Sequence, residues 1–219
     1  VPSPTCQPRS RARSSVAFSA TSRPGCSTDT PIVSSRPSVA GVAGLERETA
    51  LAAIRRSVTV ARAARDTFAA ESGTDPGDLL IAGSVGPYGA ALADGSEYRG
   101  DYDLSVDELR TWHRPRIALL TEAGVDILAL ETIPCLAEVE ALLAEVDGSR
   151  QPCWLSITCA GDRTRAGEPA AEAFSLARDV EEIIAVGINC IDPADAYELV
   201  RSASESTGKP VVIYPNGGE

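Results

Sequence analysis

"IIAVGINCIDPADAYELV", residues 183–200, decides the fold. Ile183 to Asn189 is an almost unbroken apolar run that ends on an amide, and Cys190 follows directly. Asp192 and Pro193 then have the form of a helix start, an acid at the N-cap and a proline at the first helical position. A strand without polar alternation is covered on both faces, which is the habit of parallel strands joined by helices.

Working outward, the unit recurs. "LLIAG" (79–83), "VDILALE" (125–131), "CWLSIT" (153–158) and "PVVIYPN" (210–216) read as further strands. Between them lie helical patterns. Leu51, Ile54, Val58, Ala61 and Phe68 mark a helix over 46–70. Ser105 with Glu108 is a capping box opening a helix with Leu109, Trp112, Ile117 and Leu120 on one side, and Gly124 ends it. "LAEVEALLAEV" (136–146), a stretch near 169–178 and the one closed by Gly208 complete the set. The fold class is α/β with a parallel sheet, either doubly wound or a (β/α) barrel, and this pattern alone does not separate the two. In both, chemistry gathers at the carboxyl ends of the strands.

Composition narrows the function classes. The 219 residues suffice for one domain, and no apolar run approaches the ~18 residues of a membrane span. The net charge of -11 argues against nucleic acid or an anionic membrane as partner. Residues 1–37 hold five Arg against one Asp, so they carry +4 and the rest carries -15. Their Ser-, Arg-, Pro- and Thr-rich composition predicts an irregular, lightly packed segment, and residues 1–45 are expected to be disordered or aberrant. They are Arg-rich like a transit peptide but lack its amphipathic periodicity. There is no methionine, and Lys209 is the only lysine, so the chain is expected to be a piece of a longer protein or the product of a disturbed start. None of the six cysteines forms a C-x-x-C pair, which predicts a reduced, cytoplasmic setting.

Few residues at the strand ends can carry chemistry. "GSVGPYG" (83–89) has the wrong spacing for a nucleotide loop, and Pro87 removes an amide donor; turn glycines or close backbone approach explain it better. Glu131 ends an apolar strand, where a carboxylate must be solvated, paired or bound to a ligand such as an ammonium. His113, the sole histidine, sits in a helix beside Trp112 and is expected to be a packed or surface residue rather than a catalytic one. Cys190 is a small core residue or a metal ligand. A site built from Cys135, Cys159 and Cys190 is the disfavoured version of the second reading.

"AGSVGPYGAALADGSEYRGDY", "AGVDILALETIP", "AVGINC" and "VVIYPNGGE", in this order from about Arg47 to Glu219, resemble consecutive motifs of the homocysteine S-methyltransferase family, in particular its S-methylmethionine- and S-adenosylmethionine-dependent branch. The resemblance implies a partial (β/α)8 TIM barrel over 46–219 with outer helices, its first and last strands and most of the second missing. It implies methyl transfer from a sulfonium donor to L-homocysteine, giving methionine, with zinc as cofactor and neither nucleic acid nor membrane as partner. It places a zinc ligand on Cys190 and homocysteine binding on Glu131 and Asn189. The family's other two zinc cysteines, an adjacent pair on its last strand, have no counterpart here, and Arg36 and Pro37 stand where its "SYQA"-like stretch would have tyrosine and glutamine. The alternative is a non-catalytic fragment or mispredicted gene product of the same family. An aldolase or phosphate-binding isomerase on this barrel would need a strand-end lysine or a phosphate loop, and Lys209 precedes its strand.

Overall fold

A computed structural model describes residues 17–20 and 47–216. In chain order the elements are β1 (Ala17–Ala20), α1 (Arg47–Ser72), β2 (Leu80–Val85), α2 (Tyr88–Leu92), α3 (Val106–Glu122), β3 (Ile127–Ile133), α4 (Leu136–Val146), β4 (Cys153–Ile157), the short β5 (Cys159–Ala160) and β6 (Arg163–Thr164), α5 (Ala170–Leu176), β7 (Ile183–Asn189), α6 (Ala196–Thr207) and β8 (Val211–Tyr214). Six strands form one sheet in the order β1-β2-β3-β4-β7-β8, every pair parallel, while β5 and β6 make a separate antiparallel hairpin.

The five strands expected after residue 45 are all present, and the helices match their apolar periodicities. Capping chemistry sets several starts. The Ser105 hydroxyl accepts from the Glu108 amide while the Glu108 side chain accepts from the Ser105 N–H, and Asp192 accepts from the Ala194 amide ahead of α6. Helices pack on their neighbours in chain order, α1 on α3, α3 on α4, α4 on α5 and α5 on α6, so they line one side of the sheet. That arrangement is the curved half of a (β/α) barrel rather than a doubly wound sheet, which carries helices on both faces.

Residues 1–37 were expected to be irregular and to supply no core strand; within them, Ala17–Ala20 pairs in register with Leu80–Gly83 as a short edge strand beside β2. Edge pairing runs through main-chain N–H and C=O groups, so a short stretch can join a sheet whatever the composition around it. The remainder of that segment, with Cys6, Cys26, Arg36 and Pro37, lies outside the described residues.

The two faces of the sheet differ. Leu128, Leu130, Leu155, Ile157, Val186 and Ile188 point to the helices and are fully buried in one core with Phe174, Leu142 and Leu120. At ~25 cal/mol per Å² such burial is the main favourable term in folding. The opposite face alternates with it and carries smaller and more polar residues: Ser84, Ala129 and Glu131, Trp154 and Ser156, Gly187 and Asn189, and Tyr214. A Cβ on Gly187 would stand 2.3 Å from the Val212 carbonyl oxygen, so only glycine lets β8 lie this close to β7.

Candidate functional site

The polar face converges on the carboxyl ends of β3, β7 and β8. Glu131 is held on both carboxylate oxygens. The Ser84 hydroxyl donates to Oε1 at 2.5 Å and the Tyr214 hydroxyl to Oε2 at 2.8 Å, with the Trp154 indole donating in turn to the Tyr214 oxygen at 3.1 Å. Burial, and after it the Glu131 carboxylate, push the Tyr214 phenol well above its usual range, so it stays protonated as a donor. A carboxylate offers about four lone-pair directions. Two hydroxyls leave Glu131 capacity for a further donor, such as an ammonium.

Next to it, Thr132 is a β-branched residue in the left-handed region at φ 66°, where the β3–β4 register shifts. The bulge turns its main chain toward β7. Asn189 locks it there: its Oδ1 accepts from the Thr132 N–H at 2.9 Å and its Nδ2 donates to the Thr132 hydroxyl at 2.6 Å. Asn189 is thus buried with its amide committed to Thr132, an internal brace between two strand ends.

Cys190 follows at φ 52° and Asn216 stands at φ 58°, two more non-glycine residues in the left-handed region. Such residues cost of order 1 kcal/mol each and cluster at sites that use the geometry. The Cys190 thiol is half-buried, ringed by Asn189 Nδ2 at 3.4 Å, Asn216 Nδ2 at 3.8 Å and the Thr132 hydroxyl at 4.0 Å. Its carbonyl is fixed by two donors, the buried Thr158 hydroxyl at 2.9 Å and Arg165 Nη2 at 3.0 Å. Arg165 comes from the β5–β6 hairpin, bonds the Thr158 hydroxyl through Nε at 3.1 Å and lies over the Tyr98 ring at 5.6 Å. The Tyr98 phenol is raised, by burial first and by nearby Cys190 and Glu97 next.

The residues expected at the site are thus brought together: Glu131 and Cys190 flank the Thr132–Asn189 brace, with Ser84 of "GSVGPYG" and Asn216 beside them. The other described cysteines, Cys135, Cys153 and Cys159, are buried. Burial pushes the Cys135 and Cys159 thiols up to about 12, and they form no three-membered ligand group with Cys190. Among the described residues no group of three or more His, Cys, Asp and Glu could hold a metal, so these residues alone do not fit a catalytic zinc, which needs three protein ligands. His113 is packed, and with an unforeseen partner: its Nε2 meets Glu138 Oε1 at 2.7 Å, both side chains fully buried, and the Tyr88 amide donates to the same oxygen at 2.6 Å. Sequence reading also missed Ser84, Thr132, Tyr214 and Arg165. Ser84 and Tyr214 were visible as polar residues near the ends of apolar strands; Arg165, in a polar loop, left no such signal.

Comparison with known proteins bears on the family and the fold. The family model described as homocysteine S-methyltransferase matches residues 27–219. Homocysteine S-methyltransferase of Escherichia coli is 42% identical over 178 residues, covering 80% of this chain and 57% of that protein. Selenocysteine methyltransferase of Astragalus bisulcatus is 40% identical over 193 residues, with the same two coverages. The crystal structure of the E. coli homocysteine methyltransferase MmuM in its metallated form superposes with a TM-score of 0.76 at 41% identity, covering 81% of this chain and 63% of that one. The chain therefore spans somewhat over half the length of the curated relatives it matches. No helix among the described residues is long and apolar enough to cross a membrane. With a family match over most of its length and relatives above 40% identity, the chain belongs to the homocysteine S-methyltransferase family.

Proposed function

We propose that this chain is the homocysteine-receiving part of a homocysteine S-methyltransferase, acting in the cytoplasm with a sulfonium donor, S-methylmethionine or S-adenosylmethionine. The observation that carries the reading is the joint placement of Glu131 and Cys190 on either side of the Thr132–Asn189 brace. Glu131, its two oxygens oriented by Ser84 and Tyr214, accepts the substrate ammonium. Asn189 serves the substrate site indirectly, by holding Thr132 and lying against the Cys190 sulfur. In the reaction the homocysteine thiolate forms the new bond to the methyl carbon. The bond from that carbon to the sulfonium sulfur breaks, and its electron pair leaves on a neutral thioether. Such a displacement needs a thiolate and alignment of three atoms, not a general acid, so a site without histidine suffices.

Cys190 is one of the three ligands that a catalytic zinc takes. The zinc reading holds for a chain that brings two further ligands to this thiol, and none of the chemistry above is routed through the metal. A second reading, a non-catalytic remnant, is favoured by the lack of any three-ligand cluster among the described residues. Methionine formation from homocysteine and each donor separates them. The 219-residue chain is expected to give none, and a form extended to the length of its relatives is expected to turn over with one donor. Turnover by the short chain would refute its incompleteness, and an inactive extended form would favour the remnant.

A further inference from the structure

Arg165 is a half-buried guanidinium with no carboxylate partner among the described residues, in a chain with 31 acidic side chains against 20 basic ones. Two of its nitrogens are spent on neutral acceptors, Nε on the Thr158 hydroxyl and Nη2 on the Cys190 carbonyl, and Nη1 has no protein partner among those residues. The stack over Tyr98 fixes the plane of the fork. The hairpin is itself anchored. The Ala166 amide donates to the Pro134 carbonyl at 3.1 Å, and Glu168 accepts from Thr164 and from the Leu136 amide at the start of α4. A fork held on three sides, with one nitrogen open and a formal charge unmatched, is arranged to receive a planar anion.

Its position says which anion. Arg165 bonds the main-chain carbonyl of Cys190, so its charge lies within one residue's breadth of the thiol, and Cys190 is tied through Asn189 to Thr132, the residue next to Glu131. We propose that Arg165 binds the α-carboxylate of an amino-acid ligand whose sulfur end faces Cys190, while Glu131 takes the ammonium. The pair would read a zwitterion: an acid for the cation and a guanidinium for the carboxylate. In a chain of net charge -11 an anionic group needs such a local cation to approach the site. The identity of the ligand as an amino acid rests on the function proposed above; the recognition of a carboxylate beside Cys190 does not.

Alkylation of Cys190 tests it without substrate or metal. Iodoacetate and iodoacetamide both lose iodide to a thiolate and differ in the carboxylate. Their rate ratio at one pH cancels the thiolate fraction. It is read on the Cys190 peptide by mass spectrometry, at low salt, in the native chain and in urea. The native ratio is expected to exceed the unfolded ratio by about fivefold or more, as a local opposite charge accelerates encounter. In Arg165→Gln it is expected to fall to the unfolded value, with the iodoacetamide rate changed less than about twofold. Equal native and unfolded ratios in the wild type would overturn the proposal even if the variant failed to fold. So would an Arg165→Gln ratio that stays at the wild-type value, or a loss of both rates in step, which would make Arg165 only a brace for the Cys190 turn. Failure of methyl transfer with a preserved iodoacetate preference would count against the function and not against this site.

Discussion

Two of the polar clusters among the described residues are built to opposite rules. Under α3 and α4, His113 and Glu138 are fully buried among Tyr88, Tyr102 and Trp112; His113 Nε2 and the Tyr88 amide both meet Glu138 Oε1, while His113 Nδ1 and Glu138 Oε2 have no hydrogen-bond partner among the described residues. At the strand ends, Glu131 and Cys190 are only half-buried and keep capacity for a further partner. The first cluster ties the loop after β2 to two helices, with His113 and Glu138 fully out of contact with solvent. The second rests on three left-handed residues, Thr132, Cys190 and Asn216, a conformational cost that packing does not explain. A carboxylate walled in by aromatic rings serves the architecture; a half-exposed, oriented carboxylate keeps room for a ligand.

The contrast can be broken by substitution. Glu138→Ala removes one partner of a sealed pair, and the expected loss of stability is about 3–5 kcal/mol in urea denaturation. A loss below about 1 kcal/mol would show that the pair is not sealed. The cysteines sharpen the contrast through pH. Burial raises Cys135, Cys153 and Cys159 to about 12 in the native state, above the unfolded value of about 8.5. A raised native value means that stability is fully present below about pH 8.5. It then falls as pH rises toward 12, by about 1.4 kcal/mol per thiol for each pH unit. Urea midpoints at pH 8 and pH 10 check this, and alkylation at pH 8 should mark Cys190 well before these three. Equal labelling of all four would contradict the difference in burial.

Gly187→Ala acts on the support of the site. A Cβ 2.3 Å from the Val212 oxygen must push β8 away, at an expected cost of about 1–3 kcal/mol, with loss of amide protection confined to Val211–Tyr214 and the Asn189 region. Uniform loss across the sheet would mean that β8 is not the element displaced. The smallest effect on stability is expected from Glu131→Gln, within about 1 kcal/mol, because the amide oxygen can still accept from a hydroxyl. Homocysteine binding, followed by calorimetry, should weaken by about tenfold or more in the same variant. A large stability loss with unchanged binding would move Glu131 into the architectural class.

Much of the fold was legible because parallel strands buried on both faces must be continuous apolar runs, and β3, β4 and β7 are such runs. The barrel was legible only through the family motifs, since helix-strand alternation is common to both α/β families and it is the one-sided packing of α1, α3, α4, α5 and α6 that separates them in the structure. Ala17–Ala20 escaped notice because edge pairing leaves little trace in composition. Glu131 and Cys190 could be singled out for their places at strand ends, as a carboxylate and a thiol on apolar strands. Thr132, Thr158 and Arg165 could not, because their roles arise from a bulge and a hairpin that bring distant segments onto one cysteine.

The central claim is that Cys190, presented by the Thr132–Asn189 brace, is a ligand position of the methyl-transfer site. The most direct measurement is zinc content by mass spectrometry, made on the 219-residue chain and on a form extended to the length of its relatives, each with and without Cys190→Ala. The account predicts substoichiometric zinc on the short chain, about one zinc on the extended form, and loss of that zinc in the extended Cys190→Ala variant. Full zinc on the short chain, or an extended form whose zinc content is unchanged by Cys190→Ala, would contradict it.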